Sequence, residues 1–223
     1  MIIKNMKTEI KKITVLSGIN KNGEKEKFDK IDIAKGEIVA IVGATGSGKS
    51  QLLYDIEKLA QGDSKSGRVI LVNGERANRN MRFDPERKLI ASLAQSMNFL
   101  MDISVKDFLS LHLKARGKNF DPDLIEEVIR EANEITGEPI LPETNLLDLS
   151  GGQSRALMIS DVANISTSPI ILIDEIENAG INKERAMQIL VEEGKVILIV
   201  THDPVLAFNA DKRVVVKNGG VVN

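Results

Sequence analysis

The chain of 223 residues contains no cysteine. That excludes disulfides, iron–sulfur clusters and thiolate zinc sites, and it fits a reducing compartment. No apolar run reaches the length of about 20 residues that a transmembrane helix requires. Met1–Lys7 carries basic residues with no apolar segment behind them, so no secretory signal is expected. A cytoplasmic protein is expected, peripheral to the inner face of the cell membrane only where a partner holds it there. There is no excess of charge either: 30 Lys+Arg stand against 32 Asp+Glu, a net −2. Nothing general in that balance points to nucleic acid. Internal repeats, low-complexity tracts and linkers are absent too. What remains is ordinary globular composition, 42% hydrophobic and 28% charged, in a length that fits one α/β domain with a small inserted lobe.

The chain is organised around Gly43-Ala44-Thr45-Gly46-Ser47-Gly48-Lys49-Ser50, which fits the P-loop spacing G-x-x-x-x-G-K-[ST] at every fixed position. Gly43, Gly46 and Gly48 let the backbone turn tightly and bring bare N–H groups against phosphate oxygens. Lys49 supplies a point charge for the outer phosphates, and the Ser50 hydroxyl suits Mg²⁺, which accepts few protein ligands. Context agrees. Ile38–Val42 reads as a buried strand. After the loop, Leu52, Ile56 and Leu59 form a helical stripe with Leu53 and Ala60. Strand, glycine loop and helix aim the helix N-terminus at the phosphates.

Before this core, residues 8–16 are expected to form an edge strand, followed by a polar turn at Asn20–Gly23 and an alternating stretch from Phe28 to Ile33. Arg68–Val72 reads as a strand closed by Asn73-Gly74, and residues 75–88 as a charged surface excursion. Lys88–Ala94 leads back to Gln95. Ser104-Val105-Lys106-Asp107 reads as a capping box, and Asp121-Pro122 as an N-cap with proline at the first helical position. The second helix carries Leu124, Ile125, Val128, Ile129, Ala132 and Ile135 on one face. Residues 104–147 are therefore read as an inserted helical subdomain, with 1–103 and 148–223 as the core. His112 is expected to be an exposed helix residue. Ile170–Ile173 and Lys195–Val200 read as buried strands around a helix capped by Asn182, and the chain ends in a hairpin turning at Asn218-Gly219.

Further stretches carry chemistry. Asp174 and Glu175 end a buried strand, where open α/β sheets place their sites. One carboxylate there can hold the Mg²⁺ sphere while its neighbour polarises a water. Thr201-His202-Asp203 ends the next strand. Leu149-Ser150-Gly151-Gly152-Gln153 starts a helix, with Ser150 as N-cap and two glycines forming an anion nest.

Together these residues resemble the ATP-binding cassette (ABC) ATPases. Walker A matches Gly43–Ser50, the Q-loop glutamine Gln95, LSGGQ Leu149–Gln153, Walker B Ile170–Asp174 and the switch histidine His202. The resemblance spans nearly the whole chain. It implies a P-loop NTPase parallel sheet with an antiparallel edge sheet and an inserted helical subdomain. It further implies ATP and Mg²⁺ as ligands and nucleotide contacts from Gly43 through Ser50 and Gln51. Ser50, Gln95 and Asp174 would attend the metal, and Lys49, Glu175 and His202 the reaction. Two cassettes would dimerise head to tail, as a homodimer or heterodimer, with Ser150, Gly151, Gly152 and Gln153 contacting nucleotide across the interface.

The chain departs from the family pattern in places. Ile176 follows Glu175 where proline is usual. The D-loop stretch Glu177–Asn182 lacks its aspartate, with Asn182 as a neutral substitute. Gln51 replaces a hydroxyl residue, and no adenine-stacking aromatic is evident upstream, Phe28 reading as core. Two roles follow from the resemblance: the energy-coupling subunit of a membrane transporter, partnered by a permease, or a soluble ATPase that remodels another protein. A P-loop kinase is disfavoured, because LSGGQ has no role in one.

Overall fold

The computed structural model describes residues 10–83, 89–94, 97–174 and 180–222. Gln95, Glu175, Ile176 and Glu177–Ala179 of the D-loop stretch lie outside the described residues. In chain order the strands are β1 (Lys12–Leu16), β2 (Lys30–Ala34), β3 (Ile38–Val42), β4 (Val69–Val72), β5 (Glu75–Arg76), β6 (Ile90–Leu93), β7 (Ile170–Asp174), β8 (Val196–Val200), β9 (Lys212–Lys217) and β10 (Gly220–Val221). The helices are α1 (Lys49–Glu57), α2 (Arg79–Phe83), α3 (Val105–Ala115), α4 (Pro122–Thr136), α5 (Gly151–Asn164), α6 (Lys183–Glu192) and α7 (Pro204–Asn209).

One sheet runs β2-β1-β4-β5 and is antiparallel. The other runs β10-β9-β3-β8-β7-β6, parallel except for the terminal hairpin. The parallel strands are apolar at nearly every position because both faces are covered. Ile171, Ile173, Ile197 and Ile199 face a core shared with α3 to α6. Their alternates Ile170, Leu172, Val196 and Leu198, with Val39 and Ile41, face a second core. That core includes Leu52 and Ile56 of α1 and Ile13, Val15, Ile33, Ile70 and Val72 of the antiparallel sheet. Truncating one of these, Ile41→Ala for example, would cost about 2–5 kcal/mol through the cavity it leaves.

Helices α3 to α6 begin where the sequence predicts, whereas α2 and α7 were not expected. The Asp121 side chain accepts from the Leu124 N–H, Pro122 opens α4, and Gly137 (φ 69°) ends it. Its apolar face, Ile125, Val128, Ile129, Ala132 and Ile135, is buried. Glu131 is buried on the same helix, accepting from Ser160 Oγ at 2.9 Å and Asn164 Nδ2 at 2.6 Å across the contact with α5.

Several expectations change. The edge strand expected over 8–16 is confined to Lys12–Leu16 among the described residues and is not at an edge, because it pairs with β2 on one side and β4 on the other. The excursion after Asn73-Gly74 contains structure: Asn73 (φ 52°) and Gly74 (φ 86°) turn the chain so that Glu75–Arg76 pairs back on β4, and α2 follows. At α3, Ser104 Oγ caps the Asp107 N–H, but the carboxylate of Asp107 accepts the Ser104 hydroxyl proton at 2.8 Å. Aspartate is one methylene shorter than the glutamate that closes a capping box. His112 is not an exposed residue. It is half-buried, and Arg116 Nε donates to its Nε2 at 3.2 Å, so Nδ1 carries the proton toward Asp161 Oδ1 at 2.6 Å on α5.

Candidate active site

Strand order decides what can meet. In the register of the parallel sheet Ile41 pairs with Val200, and Val200 with Asp174. Gly43, His202 and Asp174 therefore leave three adjacent strands at one edge, each strand about 4.8 Å from the next. That edge is the carboxyl edge, where α/β sheets hold ligands. Leu93 pairs with Ile173 on β7, so Gln95 follows the next strand along.

The glycine loop is built for close approach. Gly48 has φ 108°, and a Cβ there would lie 2.6 Å from Gly219 Cα. A Cβ on Gly43 would lie 2.4 Å from the Val216 carbonyl oxygen. The turn of the terminal hairpin is thus the outer wall of the loop, and Gly219 N–H donates to the Ser47 carbonyl at 2.6 Å. Lys21 Nζ donates to the Gly46 carbonyl at 2.7 Å, a second clamp from the loop before β2.

Lys49 is only 8% exposed. Its Nζ donates to the carbonyls of Gly43 at 2.7 Å and Ala44 at 3.2 Å, and stands 3.5 Å from His202 Nε2. No carboxylate among the described residues lies within ion-pair distance of this ammonium. A buried cation without an anionic partner is costly unless an anion joins it. The Ser47 hydroxyl is buried with no hydrogen-bond partner, a second polar group awaiting one. Beside them an open cavity of about 270 Å³ is lined by Val42, Gly43, Ala44, Thr201, His202 and Asp203 among others. Ser50 is exposed in the first turn of α1. Gln51 turns its amide along that helix to Asp55 Oδ1 at 2.8 Å.

His202 follows β8, and the next residue anchors it. Asp203 Oδ1 accepts from Val205 N–H at 2.8 Å, capping α7, while Oδ2 pairs with Lys183 Nζ at 2.7 Å. The Lys183 hydrogen bond and the Val205 N–H hold the Asp203 carboxyl below the usual carboxylate range. Lys183 opens α6, so this pair ties the histidine segment to the stretch after Glu175. Asn182 is occupied as the α6 N-cap, accepting from Arg185 N–H at 3.0 Å.

The LSGGQ stretch lies apart from the loop in its bonding. Ser150 and Gln153 form a reciprocal capping box at α5. Gln153 Nε2 also donates to the Pro139 carbonyl at 3.0 Å, and Ser150 Oγ to Glu138 at 3.1 Å. Among the described residues none of these bonds reaches Gly43–Ser50, whereas Arg155 Nη1 donates to the Ala94 carbonyl at 2.6 Å, next to Gln95.

Lys21, the Asn218–Gly219 wall and the Lys183–Asp203 pair are parts of this site that sequence reasoning missed. Each acts through a partner distant along the chain, and only the hairpin turn itself was readable.

Comparison with known proteins agrees with this geometry. A family model described as ABC transporter matches residues 28–178. The chain is 55% identical over 213 residues to an uncharacterised ABC transporter ATP-binding protein of Methanocaldococcus jannaschii, covering 96% of this chain and 81% of that one. It is 32% identical over 203 residues to the macrolide export ATP-binding/permease protein MacB of Campylobacter jejuni, covering 86% of this chain but 30% of that longer protein. The solved structure of cbiO1 from Clostridium perfringens, part of the ABC transporter complex cbiONQ, superposes with TM-score 0.68 at 26% identity, over 96% of this chain and 88% of that one. A glycine loop holding a buried lysine with no carboxylate partner among the described residues, at the head of a parallel sheet in a chain with these relatives, identifies an ATP-hydrolysing member of the ABC transporter family.

Proposed function

We propose that this chain is the energy-coupling ATP-binding subunit of a membrane transporter and works as one of two cassettes closed around two ATP molecules. The observation that carries the reading is Lys49, held 8% exposed with carbonyls and His202 as its company. Triphosphate oxygens would replace those carbonyls, and the Ser47 hydroxyl would gain its missing partner. Ser50 and Asp174 would hold Mg²⁺, with Gln95 beside them. Bound, the ion supplies charge neutralisation at the phosphates. Among the described residues no cluster of His, Asp and Glu forms a closed metal cage, which suits an ion that keeps waters and takes its other oxygens from phosphates.

Glu175 would orient the attacking water, and His202 the outer phosphate. Among the described residues the capped start of α5 makes no hydrogen bond to Gly43–Ser50 of its own chain. Ser150, Gly151, Gly152 and Gln153 would therefore serve the second cassette's nucleotide. Residues 104–147 would form a helical subdomain that relays the state of the site. No helix among the described residues is long and apolar enough to cross a membrane, so a permease would supply the spans. A groove lined by Ile103, Leu111 and Phe120, the last 57% exposed, offers apolar surface to such a partner.

Light scattering on the Glu175→Gln variant tests the sandwich. A dimer with Mg-ATP and a monomer with Mg-ADP is expected, with Ser150→Arg restoring the monomer. A variant that stays monomeric at saturating ATP refutes self-pairing. Recovery of the tagged chain with a multi-span protein from solubilised membranes supports the transporter role, whereas exclusive recovery with a soluble partner refutes it.

A further inference from the structure

We propose that Arg68, with Glu26, Asp55 and Gln51, is a positioning assembly for the phosphate-binding loop and sets nucleotide affinity from outside the cleft. The proposal rests on Gly43–Ser50 being the nucleotide site.

The side chains of Arg68, Glu26 and Asp55 are all 0% exposed. Arg68 Nε and Nη2 grip both oxygens of Glu26, at 3.0 and 2.6 Å. Its Nη1 reaches Asp55 Oδ2 at 2.9 Å, and Nη2 also donates to the Gly219 carbonyl at 2.8 Å. Each carboxylate also has donors besides Arg68. Glu26 accepts from the N–H groups of Val221 at 2.6 Å and Gly18 at 2.7 Å. Asp55 accepts from Gln51 Nε2 at 2.8 Å and Ser66 Oγ at 2.7 Å. Burial opposes the charge on Arg68, and the two carboxylates more than restore it, so the guanidinium pKa is raised.

Burying three charges is a poor route to stability, since apolar side chains of similar volume often do as well. What the cluster supplies is a fixed geometry. It joins α1, the terminal hairpin and the loop before β2, which are the pieces that frame the phosphate-binding loop. Gly219 shows the coupling most directly. Its carbonyl is held by Arg68, and its N–H holds the Ser47 carbonyl. On the other side, Asp55 holds Gln51, the residue after Ser50. One guanidinium thus fixes both the outer wall of the loop and the helix that receives the phosphates. It also accounts for glutamine at position 51, whose amide serves this cluster.

The test is calorimetric titration of Mg-ATP, below the thermal transition, into two variants. The first replaces the whole cluster, Arg68→Met with Glu26→Leu and Asp55→Leu, leaving no unpaired buried charge. The second, Arg68→Lys, keeps the charge and loses the fork. We expect Kd to rise by about tenfold in the first, the loss of one charge-assisted anchor, and less in the second. In both, kcat/KM should fall more than kcat. Wild-type Kd and KM in a folded variant would overturn the proposal, and if the triple variant fails to fold, Arg68→Lys decides alone. Lys49→Ala in the same titration separates the two readings. Retained ATP binding there removes the P-loop assignment. Loss there with wild-type binding in the Arg68 variants removes only the positioning role.

Discussion

Gly48→Ala tests the wall of the phosphate-binding loop more sharply than it tests glycine content. The residue sits at φ 108°, where an L side chain is strained by about 1–2 kcal/mol. Its new Cβ would stand 2.6 Å from Gly219 Cα and 3.2 Å from Gly219 N. These are backbone atoms and cannot swing aside. Relief requires the hairpin turn to retreat, which breaks the 2.6 Å bond from Gly219 N–H to Ser47. Overpacking of this kind costs about 1–3 kcal/mol. The two contributions together, about 2–5 kcal/mol, amount to a melting decrease of about 4–20 °C for a domain of this size. Gly46→Ala is the control. At φ 76° it carries the same backbone strain, but its Cβ would meet nothing within 4 Å. Its decrease should therefore be about 2–8 °C. Thermal unfolding without nucleotide, followed by circular dichroism, reads both. Equal decreases in the two variants would refute the argument that the hairpin is packed against the loop.

Other expectations follow from the same geometry. His202→Ala should bind ATP normally and hydrolyse it about 10²–10³ times more slowly, as when one preorganised electrostatic group is lost; a wild-type rate in a steady-state phosphate assay would make His202 purely structural. Lys183→Met should lower kcat with little change in ATP affinity, because it frees Asp203 and hence the residue before it; unchanged kcat would show that the pair has no part in placing His202. Glu134, bonded to Arg185 and Arg130, has a lowered pKa. Its contribution to stability is present above the ordinary glutamate value of about 4.3 and is lost as pH falls below that toward the folded pKa. In urea titrations at stepped acid pH, Arg185→Met should therefore lose less stability than wild type over that window, and parallel curves would contradict the assignment.

The parallel sheet was readable because Ile170–Ile173 and Val196–Val200 are buried on both faces, which leaves no polar alternation to misread. The caps at Asp121, Ser150 and Asn182 were readable because capping is local chemistry between residues three apart. Helix α2 was not, since Arg79-Asn80-Met81-Arg82-Phe83 has no buried residue and so no apolar stripe. His112 was misplaced for a different reason: its partner Asp161 lies 49 positions away. The buried charges were hidden in the same way. Glu26 and Arg68 look like surface residues until the fold brings them together. Asp55 did carry a signal, because it lies on the stripe of Leu52, Ile56 and Leu59, where an acid needs a buried partner.

The central claim is that Gly43–Ser50 receives the phosphates and that Lys49 is held ready for them. A crystal structure of the chain with a non-hydrolysable Mg-ATP analogue tests it most directly. Lys49 Nζ should leave the Gly43 and Ala44 carbonyls for phosphate oxygens, and the Ser47 hydroxyl should gain a partner. Nucleotide bound elsewhere, or Lys49 still on the Gly43 carbonyl at 2.7 Å with nucleotide present, would contradict the account.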